Sequence, residues 1–405
     1  MSVSVGTLEH GALASVDERG VVSAADLSLA WWVGADDRWH VPGDATVAIR
    51  RRAGAAPVIE TAVRVPGGEV AQTSYGAAVR SRGAVVVEIE NRSPVPLTIA
   101  LAVRIGSAGS VTGAGSSLCV DGRAVLVTSG PPRAWAAGET AAEIVTSGHA
   151  LTGPVDPQSG PIELALLFPV PHRTALRAVL GDVAGIDPRD LPAAAAVARG
   201  WDRQLERGLQ AALPPPIGEL VEAARADLLL LPRRDPDVVA ALEDWGFDHE
   251  AASGWSGLGW RARRRARQRA TPEDPWSALR GVDAAEDPAG FLSALRATLV
   301  RERTRAIDLL PGFPPDWLGQ SVTVDALPLR GGALSFAVRW HGSRPALLWD
   351  AGAGLELRTP VLDPGWSSSA AVGETLLAEP PAPLLPMGTQ ERSSGDPVDA
   401  PVQFS

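Results

Sequence analysis

Acidic residues gather beside tryptophan at three places in this chain. Asp36 and Asp37 precede Trp39-His40, Asp202 follows Trp201, and Glu243, Asp244, Asp248 and Glu250 surround Trp245. Paired carboxylates can divide acid and base roles between them. Indole faces offer an apolar platform with a polar rim, suited to flat rings edged with hydroxyls. Glu243 and Asp244, however, are helix neighbours that diverge by about 100°, so they cannot both line one site from that helix. Each acid therefore reads first as a solvated surface carboxylate or a partner for a helix end.

Tryptophan is the stronger candidate, with thirteen in the chain. Trp31, Trp32 and Trp39 fall within one short segment that ends on His40. Core packing is the first expectation for that cluster and ligand contact the second. Trp255 and Trp260 sit in a glycine-rich stretch, where a loop would expose them to a ligand or a partner. Trp39, His40, Trp255 and Trp260 are thus the candidate contact residues, whereas Trp340 and Trp349 lie in strand-like runs and are expected in the core.

Other chemistries find less support. His10, His40, His149, His172, His249 and His341 are scattered, with no pair at ligand spacing and no cysteine partner, so no metal or cofactor is expected. Asp248-His249-Glu250 is a compact polar trio, but three consecutive residues rarely converge on one ion. No Gly-x-Ser-x-Gly elbow joins a strand to a helix, and Gly254-Trp-Ser-Gly-Leu-Gly259 lacks the strand–helix setting of a phosphate cradle. Six arginines between Arg261 and Arg269 could grip nucleic acid or an acidic protein. A solvated segment pairing with the acids of 273–287 is the simpler account, and nucleic acid is not the expected partner.

Composition agrees. The net charge of −10 disfavours a generic nucleic-acid or anionic-membrane surface. Lysine is absent, so all 37 basic residues are arginine, and Schiff-base chemistry and the Walker lysine are excluded. Tyr75 and Asn91 are the only residues of their types. Such a bias is what a very GC-rich genome imposes. The single cysteine, Cys119, allows no intrachain disulfide and reads as a small core residue on a strand. The chain opens without a basic segment leading into an apolar one, and no apolar run approaches bilayer length, so a cytoplasmic protein without a membrane partner is expected.

The elements that must position these residues fall into four stretches. Residues 1–171 predict a β-sandwich, with strand-like runs over 85–91 and 97–104 joined by a hairpin-type Arg-Ser-Pro-Val-Pro, and Asp121-Gly122 turning another hairpin. Residues 172–305 predict four to six helices. One begins at Asp190-Leu-Pro with Trp201, Leu205 and Leu209 on one stripe, and one runs from Ile217 to Leu231 before Pro232. A third is bounded by Asp235-Pro and Gly246, and a fourth runs from Asp287-Pro to about residue 305. Residues 251–285 predict an irregular, partly mobile loop. Residues 306–378 predict a small β-domain, and 379–405 a disordered, proline-rich tail.

That small β-domain carries a resemblance. Ile307-Asp-Leu-Leu-Pro-Gly-Phe-Pro-Pro-Asp-Trp317 leads into Val338-Arg-Trp-His-Gly342, then Leu347-Leu-Trp-Asp350 and Leu362-Asp-Pro-Gly-Trp366. This pattern resembles the β-domain that follows the helical toroid in (α/α)6, or six-hairpin, glycosidases. Such enzymes commonly carry an N-terminal β-sandwich as well, and 238–252 resembles one helix–turn unit of the toroid. The resemblance implies a mainly β protein with a helical insert: an N-terminal supersandwich-like domain, a truncated toroid and a small C-terminal β-domain.

The toroid itself cannot close. Twelve helices of about 11 residues, with connections of about 2–8, need nearly 200 residues, more than the helical stretch supplies. Neither the catalytic acid nor the base of the family can therefore be carried onto a residue here. The leading expectation is a non-catalytic, carbohydrate-related protein, sugar-binding or enzyme-accessory, and a degenerate relative of these glycosidases. An intracellular glycoside hydrolase or phosphorylase would instead need a convergent carboxylate pair, about 5–5.5 Å or about 6.5–9.5 Å apart. An assembly or scaffold protein, holding a protein partner and no sugar, would need an exposed apolar patch around Trp255 and Trp260.

Overall fold

A computed structural model describes residues 2–35, 38–42, 48–52, 54–79, 81–107, 110–138, 140–141, 145, 161–267, 272–352 and 355–380. The tail expected at 379–405 lies outside the described residues from 381 onward, as do Asp36, Asp37 and Arg269.

The architecture is mainly β with a helical part between two β portions. Its N-terminal half is a pair of eight-stranded sheets. The first runs Val3–Thr7, Gly11–Val16, Val22–Ala24, Leu27–Gly34, Leu97–Ile105, Ile162–Val170, Ala134–Gly138, with Trp39–His40 also paired to Leu27–Gly34. The second runs Val111–Ala114, Ser117–Val120, Arg123–Thr128, Ala175–Gly181, Arg82–Asn91, Gly68–Val79, Val58–Val65, Ala48–Arg52. The sandwich thus takes in Ala175–Gly181, beyond residue 171.

Side chains at alternate positions decide which core each strand feeds. Val85, Val87 and Ile89 join Ile99, Leu101 and Val103 between the sheets. Ala84 and Val86 point the other way, into a core shared with the helices. That strand is buried on both faces, which explains its continuous apolar run.

Asp121 and Gly122 take φ of 49° and 76° between Ser117–Val120 and Arg123–Thr128, the left-handed pair of a type I′ hairpin. The expected hairpin at Arg92–Pro96 is not one. Arg82–Asn91 pairs with Gly68–Val79 and Ala175–Gly181, while Leu97–Ile105 pairs with strands of the other sheet. The linker crosses between sheets because Asn91 ties it into a corner. Its Nδ2 donates to the carbonyls of Val95 and Val170, at 2.8 and 3.1 Å, and its Oδ1 accepts from the Ser93 amide and hydroxyl. Pro94 and Pro96 supply no amide for a hairpin ladder.

Six α-helices follow among the described residues: α1 Ala194–Leu205, α2 Ile217–Leu230, α3 Pro236–Asp244, α4 Asp248–Arg267, α5 Pro275–Arg280 and α6 Pro288–Leu299. Asp235, Asp274 and Asp287 cap α3, α5 and α6 by accepting backbone N–H bonds, each with proline in the first turn. Helix α1 starts later than expected, because Asp187 caps a separate 3-10 turn over Pro188–Asp190. It also ends at Leu205, so Leu209 is buried beyond the helix and not on its stripe. Helix α6 stops at Leu299, short of the expected 305, because Val300–Glu302 pairs antiparallel with Ala306–Leu309.

The largest correction concerns 251–285. Residues 251–267 complete α4, and α5 occupies 275–280. Glycine did not open a loop at Gly254 because it serves close packing: a Cβ there would lie 2.5 Å from Val239 Cγ2 on α3. Only Gly259, at φ 78°, breaks the helical path, as a kink.

The helices pack on the outer face of the second sheet. The Tyr75 hydroxyl donates to the Pro192 carbonyl at 2.8 Å, and burial pushes the phenol up to about 12, partly opposed by Arg177. Arg177 pairs with Glu88 at 2.7 Å and also donates to the carbonyls of Pro188 and Leu191, pinning the chain that leads into α1. Arg52 pairs with Asp227 of α2 at 3.2 Å.

Two smaller sheets complete the molecule. One runs Gln210–Ala212, Val322–Leu329, Gly332–His341, Arg344–Asp350, Val372–Leu376. The other runs Val300–Glu302, Ala306–Leu309, Glu356–Thr359, Asp363–Ser368. Each takes a strand from within or directly after the helical stretch, so Trp245, Phe291, Leu309, Val324 and Phe336 share one core.

Candidate functional site

Helix α4 decides the fate of the two tryptophans it carries. Trp255 is 6% exposed, and its Nε1 donates to Glu243 Oε2 at 3.0 Å. The loop that was expected to expose it is a helix packed on α3. Trp260, just past the Gly259 kink, is 67% exposed, with the Arg261 guanidinium 5.6 Å from its ring centre. Five residues apart on an unbroken helix, two side chains would diverge by about 140°; here the Gly259 kink lies between them, and both border the hollow along α4.

Trp260 stands at a cleft of about 860 Å³ between the end of α3, the second half of α4, α6, and the turn after Val322–Leu329. A second hollow, of about 570 Å³, lies along α4 and shares Glu243, Trp260 and Arg263 with it.

The walls of the larger cleft are charged. Arg263 Nη2 donates to Glu243 Oε1 at 2.7 Å, and its guanidinium lies 5.9 Å from the Trp255 ring centre. Arg296 of α6 lies between two acids: its Nη2 donates to Glu302 Oε1 at 2.9 Å, and its Nε stands 3.5 Å from Asp244 Oδ1. The same Nη2 donates to the Pro328 carbonyl at 2.8 Å. Glu302 Oε2 accepts from the Arg330 amide at 3.0 Å. Arg301 Nη2 donates to the Pro272 carbonyl at 3.1 Å, while its buried Nε meets no partner among the described residues. Arg264 lines the cleft from the exposed face of α4.

The other candidates lie elsewhere. Trp39 and His40 form a short strand on the first sheet, opposite Gly34 and Val33. His40 is buried, and Trp39 covers Gly34 closely enough that a Cβ there would lie 3.0 Å from its ring. Trp32 and Trp39 pack with Ala100, Val145 and Ala165 on the outer face of that sheet, while Trp31 is 1% exposed in the sandwich core. The polar trio Asp248-His249-Glu250 splits: Glu250 is buried and accepts from Gln204 Nε2 at 2.9 Å, while Asp248 and His249 face solvent. No group of three His, Cys, Asp or Glu side chains among the described residues could hold a metal ion. No described helix is long and apolar enough to cross a membrane.

Reasoning from sequence missed Arg296, Arg301, Glu302 and Arg330. The run Arg296-Ala-Thr-Leu-Val-Arg-Glu-Arg-Thr-Arg305 carries four arginines and one glutamate, less basic than the run 261–269 but still a charge cluster that could have marked it. That this run breaks from helix to strand at Val300, beside the cleft, could not be read locally.

No protein-family model matches this chain, and no curated protein matches it. Among solved structures, a bacterial glucoamylase crystallised in complex with acarbose is similar to 63% of this chain, at 9% sequence identity and a TM-score of 0.41. The match spans 49% of that protein, so this chain corresponds to about half of its length.

Proposed function

We propose that this protein binds carbohydrate at the Trp260 cleft without cleaving it, as a sugar-binding or enzyme-accessory protein. The observation that carries the reading is a largely exposed indole at the mouth of a cleft walled by guanidinium and carboxylate groups. An indole face stacks on the apolar face of a pyranose, while planar charged side chains take its hydroxyls in bidentate fashion. The cleft falls within the size range of small-ligand sites, about 300–1,000 Å³.

The carboxylates favour binding over hydrolysis. Both oxygens of Glu243 and both of Glu302 already accept from protein donors, and Asp244 faces Arg296. A glycosidase needs two carboxyl groups open to the scissile bond. A scaffold role would draw on a joint Trp255–Trp260 surface, but Trp255 is buried.

The test is a thermal-shift screen of the full chain against glucose, trehalose, malto-oligosaccharides and sugar phosphates. A ligand at 100 times its dissociation constant adds about 2.7 kcal/mol, a shift of several degrees for a single domain. A saturable shift that Trp260→Ala abolishes supports the reading. A flat panel, or a shift indifferent to Trp260→Ala, refutes it.

A further inference from the structure

Charge in the larger cleft does not balance. Among the described residues, five arginines (Arg263, Arg264, Arg296, Arg301, Arg330) line it against three acids (Glu243, Asp244, Glu302), an excess of two positive charges in a chain whose net charge is −10. Arg263 is matched by Glu243, and Arg296 by Asp244 and Glu302. Arg264 and Arg301 meet no carboxylate among the described residues; Arg301 reaches only the neutral Pro272 carbonyl.

Hydrogen-bond capacity is skewed in the same direction. Guanidinium groups only donate, and the acceptor oxygens of Glu243 and Glu302 already hold protein donors. A neutral sugar brings hydroxyls that must donate as well as accept, and each oxygen of Glu243 and Glu302 already holds one protein donor. A phosphate or carboxylate only accepts, and the planar fork of arginine matches it in bidentate geometry.

We infer that the cleft selects an anionic sugar, one whose ring stacks on Trp260 while its phosphate or carboxylate is held by Arg264 and Arg301. This rests on the carbohydrate reading above and adds the charge of the ligand. The anion would pair the two guanidinium groups that meet no carboxylate among the described residues.

Isothermal titration of the full chain separates the parts of this proposal. The probes are glucose 6-phosphate, glucuronate, glucose and inorganic phosphate, and the variants are Arg264→Gln, Arg301→Gln and Trp260→Ala. Either anionic sugar should bind at least about tenfold tighter than glucose, and each Gln variant should remove most of that margin. Whichever of the two anionic sugars binds tighter identifies phosphate or carboxylate as the group held. Arg264 is exposed, so its variant tests the anion without disturbing the fold. Glucose binding as tightly as glucose 6-phosphate and glucuronate overturns the inference and leaves the carbohydrate reading standing. Inorganic phosphate binding as tightly as glucose 6-phosphate, with Trp260→Ala without effect, overturns the carbohydrate reading. No heat from any sugar, with the protein folded by circular dichroism, overturns both.

Discussion

Arginine stands in opposite circumstances on the sandwich and in the cleft. On the second sheet, Arg92 is held by three glutamates, Glu60, Glu90 and Glu69, at 2.8, 2.7 and 3.2 Å. The Glu60 hydrogen bond leads in keeping its guanidinium above its ordinary value. At the junction with the helices, Arg177 uses Glu88 and two carbonyls. In the cleft, Arg264 and Arg301 meet no acid among the described residues. The difference teaches that the residue type alone says little. Arginine saturated by acids and carbonyls ties strands and linkers together, whereas arginine left in excess at a concave surface has capacity for a ligand.

That contrast can be broken by mutation. Arg177→Ala should destabilise the protein by about 3 kcal/mol in urea unfolding, because it strands Glu88 and two carbonyls at the sheet–helix junction. A loss below about 1 kcal/mol would remove the distinction between tying and binding arginines. Tyr75→Phe, at the same junction, should cost about 1 kcal/mol at neutral pH through the lost bond to Pro192.

Tyr75 also gives a sharper test in alkali. The unfolded phenol loses its proton near 10 and the folded one near 12, so the unfolded state binds fewer protons across that window. The stability this group contributes is therefore present below pH 10 and is lost as the pH rises toward 12. Tyr75→Phe should flatten the decline of unfolding free energy with pH over that interval, and an unchanged slope would contradict the burial of the phenol.

On the sandwich surface, Arg92→Ala should cost about 1 kcal/mol, and less in high salt, since the cluster is partly solvated. A cost that does not fall with salt would show that the arginine acts through packing instead. Smallest of all, Arg264→Gln should leave stability within about 0.5 kcal/mol of the parent. A larger loss would make Arg264 a structural residue like Arg177.

Much of the fold was legible in local signals. Asp235-Pro and Asp287-Pro start helices because a carboxylate satisfies free N-terminal amides and proline has no amide to lose. Asp121-Gly122 turns a hairpin because both positions tolerate positive φ. The site was legible only in part. Trp260 stood out by type and by its glycine neighbours, and Trp255 stood out for the same reasons, yet the two end in opposite environments.

What the sequence determined by itself is what acts within a few residues: where helices begin, where one hairpin turns, which runs extend as strands, and that every cation is an arginine. Tertiary structure decided what depends on distant partners. Asn91 sends its linker across to the other sheet by bonding to Val170, a partner far along the chain. Gly254 stays helical because Val239 packs against it, and Arg301 lines the same cleft as Arg263 and Arg264 from the strand Val300–Glu302 that pairs with Ala306–Leu309. Burying a large side chain contributes about 1.5–3 kcal/mol, against at most about 1 kcal/mol from local helix propensity, so these outcomes become fixed only when the whole chain has packed.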